Sequence, residues 1–150
     1  NKDDFFKGKL LFLKDGEKFD LGGRVIDVLF TPGHTPGSVT YFDSAKGYGF
    51  SGDAFGSGNL LVFTDFSTLK NSCEKAIAYI EMNNIKYMYP GHYWGKNLES
   101  LQRVKDLKSI SEDLLSGKIQ GAKNSDDSYG LNYIIDKYGV KVNYNNKAIK

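Results

Sequence analysis

Both histidines of this chain occur in the same tripeptide, Pro-Gly-His. His34 lies in the octapeptide Thr-Pro-Gly-His-Thr-Pro-Gly-Ser, and His92 lies in Tyr-Pro-Gly-His-Tyr-Trp-Gly. Between them, Asp53 ends the tripeptide Ser-Gly-Asp, which also follows a short apolar run. Imidazole and carboxylate groups are ligands of zinc and of related metals. The pattern therefore indicates a metal site built from His34, Asp53 and His92.

Each candidate ligand comes after a segment whose apolar, β-branched or aromatic residues predict a strand. The three segments are Arg24–Phe30, Tyr48–Ser51 and Ile85–Tyr89. A ligand at the end of a strand is held by a rigid sheet, and glycine lets the backbone turn sharply beside a metal. The arrangement predicts that the three side chains converge at one edge of a sheet.

The rest of the chain alternates between strand and helix patterns. Further strands are predicted at Lys9–Leu13 and Lys18–Leu21, joined by a hairpin turn at Asp15-Gly16, at Val39–Phe42, and at Val140–Tyr144 on a sheet edge. Residues 54–66 are predicted to form a loop, and Leu131–Tyr138 is a short amphipathic segment. Strands that alternate with helices predict a layered α/β fold.

Helical periodicity predicts two helices. The first has its apolar face between Leu69 and Ile80, with Ser67 or Thr68 as its N-cap. The second is predicted from about Asn97, as N-cap, to about Ser116.

Composition excludes several classes of function. The formal net charge is only +2, so no basic surface for nucleic acid is indicated. No apolar run approaches the length of a membrane span. The single cysteine, Cys73, excludes an intramolecular disulfide framework. The composition is that of an ordinary soluble globular domain, and it does not indicate a compartment. We expect a small-molecule substrate.

The three motifs, in this order, resemble those of the metallo-β-lactamase superfamily, and their wording is similar to its glyoxalase II-like hydrolases. Asp53 follows His34 by 19 residues and His92 follows Asp53 by 39, and the resemblance covers roughly Leu10 to Gly117. It implies that His34 binds the first metal, that Asp53 bridges two metals, and that His92 binds the second.

One motif of that family, His-x-His-x-Asp-His, is missing because the chain has only two histidines. It would precede the first motif and supply four further ligands. With the start at Asn1 rather than Met, its absence leads us to interpret residues 1–120 as the C-terminal half of an αββα sandwich, a mixed sheet covered by helices with the N-terminal half absent. Residues 121–150 would be a tail that packs on this domain or extends it. A truncated or proteolysed product, half of a split enzyme, and a variant that has lost its metals all remain open.

The resemblance implies a metal-dependent hydrolase that cleaves a thioester, ester or amide with a metal-bound hydroxide. Two zinc ions are expected in the complete protein, with iron or manganese as alternatives, and Asp53 would take part in catalysis as the bridging ligand. The chain alone would give each metal only two protein donors, whereas zinc sites normally have three or four. We therefore expect weak zinc binding and little or no activity from these 150 residues alone.

Four residues beside the ligands are further candidates. Tyr93 follows a ligand at the mouth of the sheet and is a candidate substrate contact, with packing as the alternative, and Trp94 is expected to pack under the last helix. Thr35 and Ser38 are candidates for orienting His34 by hydrogen bonds. The alternative is that these two hydroxyls only satisfy the backbone of their loop.

A second class of function is a metal-free half-domain that associates with other chains. The predicted strands carry more apolar surface than two helices and a tail can cover on both faces. The residues concerned are Leu11, Leu13, Val25, Val28, Phe30, Val39 and Tyr41. This predicts contact through the sheet with another copy, as a dimer, or with the missing half. Nucleic-acid processing by the β-CASP branch of the superfamily would need a large inserted domain and a basic surface, and neither is present.

Overall fold

The computed structural model of the chain describes residues 8, 11–93, 95–126 and 129–150. Its first sheet has five strands in the order β1-β2-β3-β4-β6. Neighbours from β1 to β4 are antiparallel, whereas β4 and β6 are parallel. Strands β2, β4 and β6 therefore run in the same direction. The strands are β1 (Lys18–Asp20), β2 (Val25–Phe30), β3 (Val39–Asp43), β4 (Tyr48–Gly52) and β6 (Tyr87–Pro90).

The second sheet has four strands in the order β5-β9-β8-β7. Strands β5 and β9 are parallel, and the other neighbours are antiparallel. The strands are β5 (Asn59–Leu61), β7 (Ala122–Lys123), β8 (Tyr133–Lys137) and β9 (Val140–Tyr144). Strand β9, within the last 30 residues, thus pairs with β5, which begins six residues after Asp53.

Two helices pack against each other and against both sheets. Helix α1 (Phe66–Met82) begins at Asp65, whose carboxylate accepts a hydrogen bond from the Thr68 amide at 2.8 Å. Helix α2 (Leu101–Leu115) begins at Ser100, whose hydroxyl accepts from the Arg103 amide at 3.1 Å. No helix in the described part of the chain has the length and apolar character needed to cross a membrane.

One contiguous core joins the helices to both sheets. The first sheet contributes Phe42 and Met88, and the second sheet contributes Leu60, Val142 and Tyr144. From the helices come Phe66, Leu69, Cys73, Ala76, Ile80, Val104, Leu107, Ile110 and Leu114. Their spacing of three and four residues places each set on one helix face, which is why the apolar periodicity predicts these helices. Cys73 is a buried core residue.

The other face of the first sheet is apolar and aromatic. Residues alternate across a strand, and the strand register places one set of side chains opposite Phe42 and Met88. Phe50 and Tyr87 in this set are 39% and 47% exposed. We call this surface the aromatic face; it comprises Val28, Phe30, Val39, Tyr41, Tyr48, Phe50, Tyr87 and Tyr89.

The structure corrects the predicted first hairpin. Residues 11–13 form no strand, and residues 9 and 10 lie outside the described residues. The observed hairpin joins β1 to β2 through residues 21–24, where Gly22 and Gly23 have φ angles of +87° and +89°. The Asp20 carboxylate accepts hydrogen bonds from both glycine amides at 2.9 Å. The turn therefore lies at the glycine pair, because both positions require the left-handed backbone that glycine adopts readily.

Other differences concern helix caps and the second sheet. The predicted caps were wrong: Asp65 and Ser100 lie at the observed helix starts, and the Asn97 amide donates to the His92 carbonyl at 2.6 Å. The predicted loop at 54–66 contains β5, and the amphipathic segment from Leu131 contains β8. Strand β9 lies between β5 and β8 rather than at an edge.

Candidate metal site

His34, Asp53 and His92 follow the carboxyl ends of the three strands that run in the same direction. Asp53 comes directly after β4 and His92 two residues after β6, and these strands are parallel neighbours. The Gly91 amide donates to the Gly52 carbonyl at 2.8 Å, which continues the pairing one residue beyond the end of β6. The parallel pairing therefore brings Asp53 and His92 together, as expected for ligands at strand ends.

The Asp53 carboxylate holds a buried oxygen atom that has no hydrogen-bond partner among the described residues. This atom, Oδ1, lies 3.5 Å from Nε2 of His92, which is too long for a well-formed hydrogen bond. Buried polar atoms almost always have partners, so an orphaned carboxylate oxygen indicates a site that takes a ligand. Among the described residues, the hydroxyl oxygens of Ser51 and Ser57 are also buried without a partner, and Asp53 Oδ1 is the carboxylate oxygen of the three.

His34 is oriented by the backbone of β5. Its Nδ1 lies 2.8 Å from the carbonyl oxygen of Leu61, and because a carbonyl only accepts, Nδ1 carries the proton. Nε2 is then left with the lone pair that a metal requires. The ring also packs edge-on against Phe63, with 5.4 Å between the ring centroids. The carbonyl of a strand in the second sheet thus sets the tautomer and the direction of a candidate ligand in the first.

The loop that carries His34 is fixed by its own hydroxyl groups and by α1. The Thr35 and Ser38 hydroxyls lie 3.0 Å apart, and the Ser38 hydroxyl accepts from the Thr35 amide at 3.1 Å. Ser72 of α1 donates to the Pro32 carbonyl at 2.5 Å. The hydrogen bond of the His34 ring is made with the Leu61 carbonyl, and the roles predicted for Thr35 and Ser38 stay predictions.

Tyr93 lies beside the aromatic face. Its ring is 41% exposed and meets Tyr89 edge-on, with 5.3 Å between the centroids. This places the ring in an aromatic row with Tyr48 and Phe50, which also contact Tyr89. The predicted role of Tyr93 in substrate binding stays a prediction, and Trp94 lies outside the described residues.

The three candidate ligands line one small cavity of about 80 Å³, together with Gly56, Asn59 and Leu61. A larger groove of about 580 Å³ shares His92, Asn59 and Leu61 with this cavity and continues to Lys96 and Asn97. A ligand in the groove would therefore reach the cavity between His92 and β5. Such a concave site beside candidate ligands is the kind of place where small molecules bind.

The donors in the cavity fit zinc by type, but they are too few. Among the described residues, no three His, Cys, Asp or Glu side chains form a group that could hold a metal ion. Asp53 and His92 lie close together, whereas the His34 ring is held toward β5. A metal at this edge would thus need donors beyond these three, in agreement with the number of ligands that zinc sites normally have.

The sequence patterns did not identify Glu99 as a supporting residue of the site. It is buried, and its carboxylate accepts from Arg103 Nη1 at 3.1 Å and from the Ser57 amide at 3.2 Å. Burial raises the pKa of Glu99, while Arg103 and the Ser57 amide act in the opposite direction. Glu99 thereby ties the start of α2 to the turn Gly56–Gly58, which borders the cavity. The only sequence signal is the spacing of four residues between Glu99 and Arg103.

Comparison with known proteins identifies the family. Residues 2–92 match the family described as the metallo-beta-lactamase superfamily. The chain belongs to this superfamily. The predicted resemblance is thereby confirmed.

Two curated relatives and one solved structure illustrate the similarity. The chain is 31% identical over 97 residues to the acyl-coenzyme A thioesterase MBLAC2 of Homo sapiens. This match covers 63% of the chain and 35% of that protein. It is 43% identical over 51 residues to a hydroxyacylglutathione hydrolase of Synechococcus sp. (strain JA-2-3B'a(2-13)), covering 34% and 20%. The chain thus spans about a third or less of each relative.

The metallo-beta-lactamase family protein TTHA1429 of Thermus thermophilus has a similar fold. It aligns with a TM-score of 0.52 at 24% identity, over 73% of this chain and 38% of that one. At this identity the similarity concerns the fold alone. It confirms the predicted fold class, a mixed α/β structure of the superfamily that represents part of the solved fold.

Proposed function

We propose that this chain forms part of a metal-dependent hydrolase that cleaves acyl thioesters. The observation that carries the proposal is the cavity shared by His34, Asp53 and His92, in which Asp53 Oδ1 is buried without a hydrogen-bond partner among the described residues. Zinc bound there would lower the pKa of water and polarise a carbonyl group. The relatives support a thioester in particular, since one is an acyl-coenzyme A thioesterase and another a hydroxyacylglutathione hydrolase.

The residues of this chain have separate tasks in the proposal. His34 offers Nε2 because Leu61 holds Nδ1, and His92 offers Nε2 from the neighbouring strand end. Asp53, whose Oδ1 lies beside His92, would be a further donor to the zinc expected in the complete protein. Iron or manganese would suit the same donor types. The groove between His92 and Asn59 would take the acyl substrate.

A measurement of zinc content tests the proposal. We expect the 150-residue chain to retain less than one equivalent of zinc after dialysis against a mild chelator, and to show little thioesterase activity. Addition of an upstream segment that carries His-x-His-x-Asp-His, covalently or in trans, should raise both. In that assembly His34→Ala, Asp53→Ala and His92→Ala should each lower zinc content, whereas Asp136→Ala should not, since the Asp136 side chain is 62% exposed on β8.

Two results would contradict the proposal. Two equivalents of zinc held by the chain alone, and lost on His34→Ala, would show that these residues complete the site without further ligands. An assembly that binds zinc but cleaves neither an acyl-coenzyme A thioester nor an acylglutathione thioester would exclude the proposed substrate class.

The aromatic face favours a second candidate, a metal-free half-domain that acts by association. Phe50 and Tyr87 expose 39% and 47% of their surface on the neighbouring strands β4 and β6 of the first sheet. Exposed apolar patches on sheets are typical association surfaces. Association and catalysis do not exclude each other, because the aromatic face and the cavity use different residues.

A further inference from the structure

We propose that Asn59 donates a hydrogen bond from its side-chain amide to the carbonyl oxygen of the substrate, and that Asn143 and Asn124 position this amide. The proposal rests on the proposed function, since it names the residue that would bind the acyl group in the same cavity. Asn59 would be a substrate-binding residue, and the other two asparagines would be positioning residues.

The three asparagines form a head-to-tail chain of hydrogen bonds. Asn124 Nδ2 donates to Asn143 Oδ1 at 3.1 Å, and Asn143 Nδ2 donates to Asn59 Oδ1 at 2.7 Å. Asn143 is only 6% exposed, and a buried amide is held firmly by the partners that satisfy it. In this series of hydrogen bonds the side-chain oxygen of Asn59 accepts from Asn143. The NH₂ group of Asn59 stays available as a donor.

The pairing of β5 with β9 places the three asparagines beside the candidate metal site. Strands β5 and β9 are parallel, and Leu61 lies beside Asn143. Because side chains alternate along a strand, Asn59 and Leu61 share a face of β5. Asn59 lines the small cavity with His34, Asp53 and His92, and it also lines the groove that continues to Lys96. The amide therefore stands where the groove meets the candidate ligands.

A neutral NH₂ donor at this point suits one task in acyl transfer. When a nucleophile adds to a carbonyl carbon, negative charge develops on the oxygen, and a fixed donor stabilises that charge. The donor keeps its protons throughout, so Asn59 takes no part in proton transfer. Loss of one such donor in a hydrolase lowers kcat by roughly 10²-fold to 10³-fold.

Asn59→Asp tests the donor with the smallest structural change. The carboxylate still accepts from Asn143 but has no proton to offer to a carbonyl oxygen. The assay uses the complete protein loaded with zinc, with hexanoyl-coenzyme A as substrate and, as a binding probe, its ketone analogue in which CH₂ replaces sulfur. We expect kcat to fall by about 10²-fold and the affinity for the ketone, measured by calorimetry, to fall by about tenfold. Asn59→Ala should show the same losses without an added charge.

Asn143→Asp tests the positioning role. An aspartate at 143 still accepts from Asn124, but it has no proton to donate to Asn59 and would accept from Asn59 instead. The Asn59 side chain would then turn over, so that its NH₂ group points away from the cavity and its oxygen points toward the cavity. We therefore expect weaker ketone binding at a temperature where the variant is fully folded, a loss that a merely structural residue would not produce. Asn71→Asp is the matched control, because Asn71 is exposed on α1 and should leave both measurements unchanged.

The outcomes separate the two proposals. If the unmodified protein neither cleaves the thioester nor binds the ketone, the proposed function fails and this inference fails with it. If the unmodified protein does both, and Asn59→Asp and Asn59→Ala keep kcat and ketone affinity within twofold, only the inference is overturned. Zinc content measured in parallel must stay the same, since a fall in zinc would mean that Asn59 acts on the metal rather than on the substrate.

Discussion

At the scale of single residues, the Asp53 carboxylate has room only because residue 91 is glycine. A Cβ atom built on Gly91 would lie 2.6 Å from Asp53 Oδ1 and 3.3 Å from the Gly52 carbonyl carbon. Carbon atoms essentially never approach a carboxylate so closely, so Asp53 would have to move. The Gly-His pair of the motif therefore supplies both a ligand and the space for its neighbour.

We predict that Gly91→Ala weakens zinc binding by about tenfold, the size of effect that follows when a ligand loses its orientation. The measurement is a competition for zinc with a chromophoric chelator, made on the assembly that contains the upstream segment. Gly37→Ala is the control, since a Cβ at Gly37 meets nothing within 4 Å. Equal zinc affinity in Gly91→Ala and the unmodified chain would show that the Asp53 position does not matter for the metal.

The residue types and their spacing identify the candidate ligands, but they do not identify the groups that orient those ligands. His34, Asp53 and His92 stand out because each follows a strand and a glycine. The Leu61 carbonyl gives no sequence signal, because every residue has one. The bond from Asn143 to Asn59 joins positions 84 residues apart, and only the pairing of β5 with β9 brings them together.

At the scale of elements, a buried carboxylate joins α2 to the second sheet. Asp113 accepts from Lys118 Nζ at 2.8 Å and from Lys137 Nζ, on β8, at 2.9 Å. These two lysines hold the pKa of Asp113 below its usual value. A folded-state pKa below the unfolded one means that the carboxylate stabilises the fold above the unfolded pKa, and that this contribution is lost as pH falls through the folded pKa.

We predict that Asp113→Asn lowers the urea midpoint of unfolding at neutral pH. The deficit should be constant from about pH 5 upward. It should shrink as pH falls below the unfolded pKa of 3.8 and through the lower folded pKa, because the unmodified protein then loses the contribution of its carboxylate. Glu112→Gln is the control, because Glu112 forms an i,i+4 pair with Lys108 on the helix surface, and such pairs contribute about 0.3–0.5 kcal/mol. A deficit that does not change with pH would mean that the ion pairs of Asp113 do not stabilise the fold.

Periodicity predicts most of the elements around the site, because their apolar faces are wide. Strand β2 is one residue shorter than its sequence pattern predicts, and the caps of both helices lie two or three residues from the predicted ones. Helix α1 begins before the periodic run at Leu69 because Phe66 is itself buried in the core. Strand β5 has only three residues, too few to show a period, and it exists through its pairing with β9.

At the scale of the whole molecule, the first sheet is covered unevenly. Its Phe42 and Met88 side belongs to the common core with the helices. On the aromatic face, Tyr89 stacks on Phe50 at 5.8 Å and meets Tyr48 edge-on at 6.0 Å. Of the residues expected to form this surface, Val28, Phe30, Val39 and Tyr41 lie on it, whereas Val25 lies on the opposite side by strand alternation and Leu11 and Leu13 belong to no strand.

We predict that the chain alone associates with a second copy through the aromatic face. Phe50→Lys combined with Tyr87→Lys should weaken self-association by about tenfold or more and reduce the binding of a dye that reports exposed apolar surface, while the fold persists because both side chains are already partly exposed. Met82→Lys is the control, since Met82 is 82% exposed at the end of α1. Light scattering over a range of concentrations measures the association.

An upstream segment that completes the sandwich should compete with the second copy for the same face, so its addition should convert dimers to one-to-one complexes. A chain that stays monomeric at all concentrations and binds no dye would show that the aromatic face needs no partner.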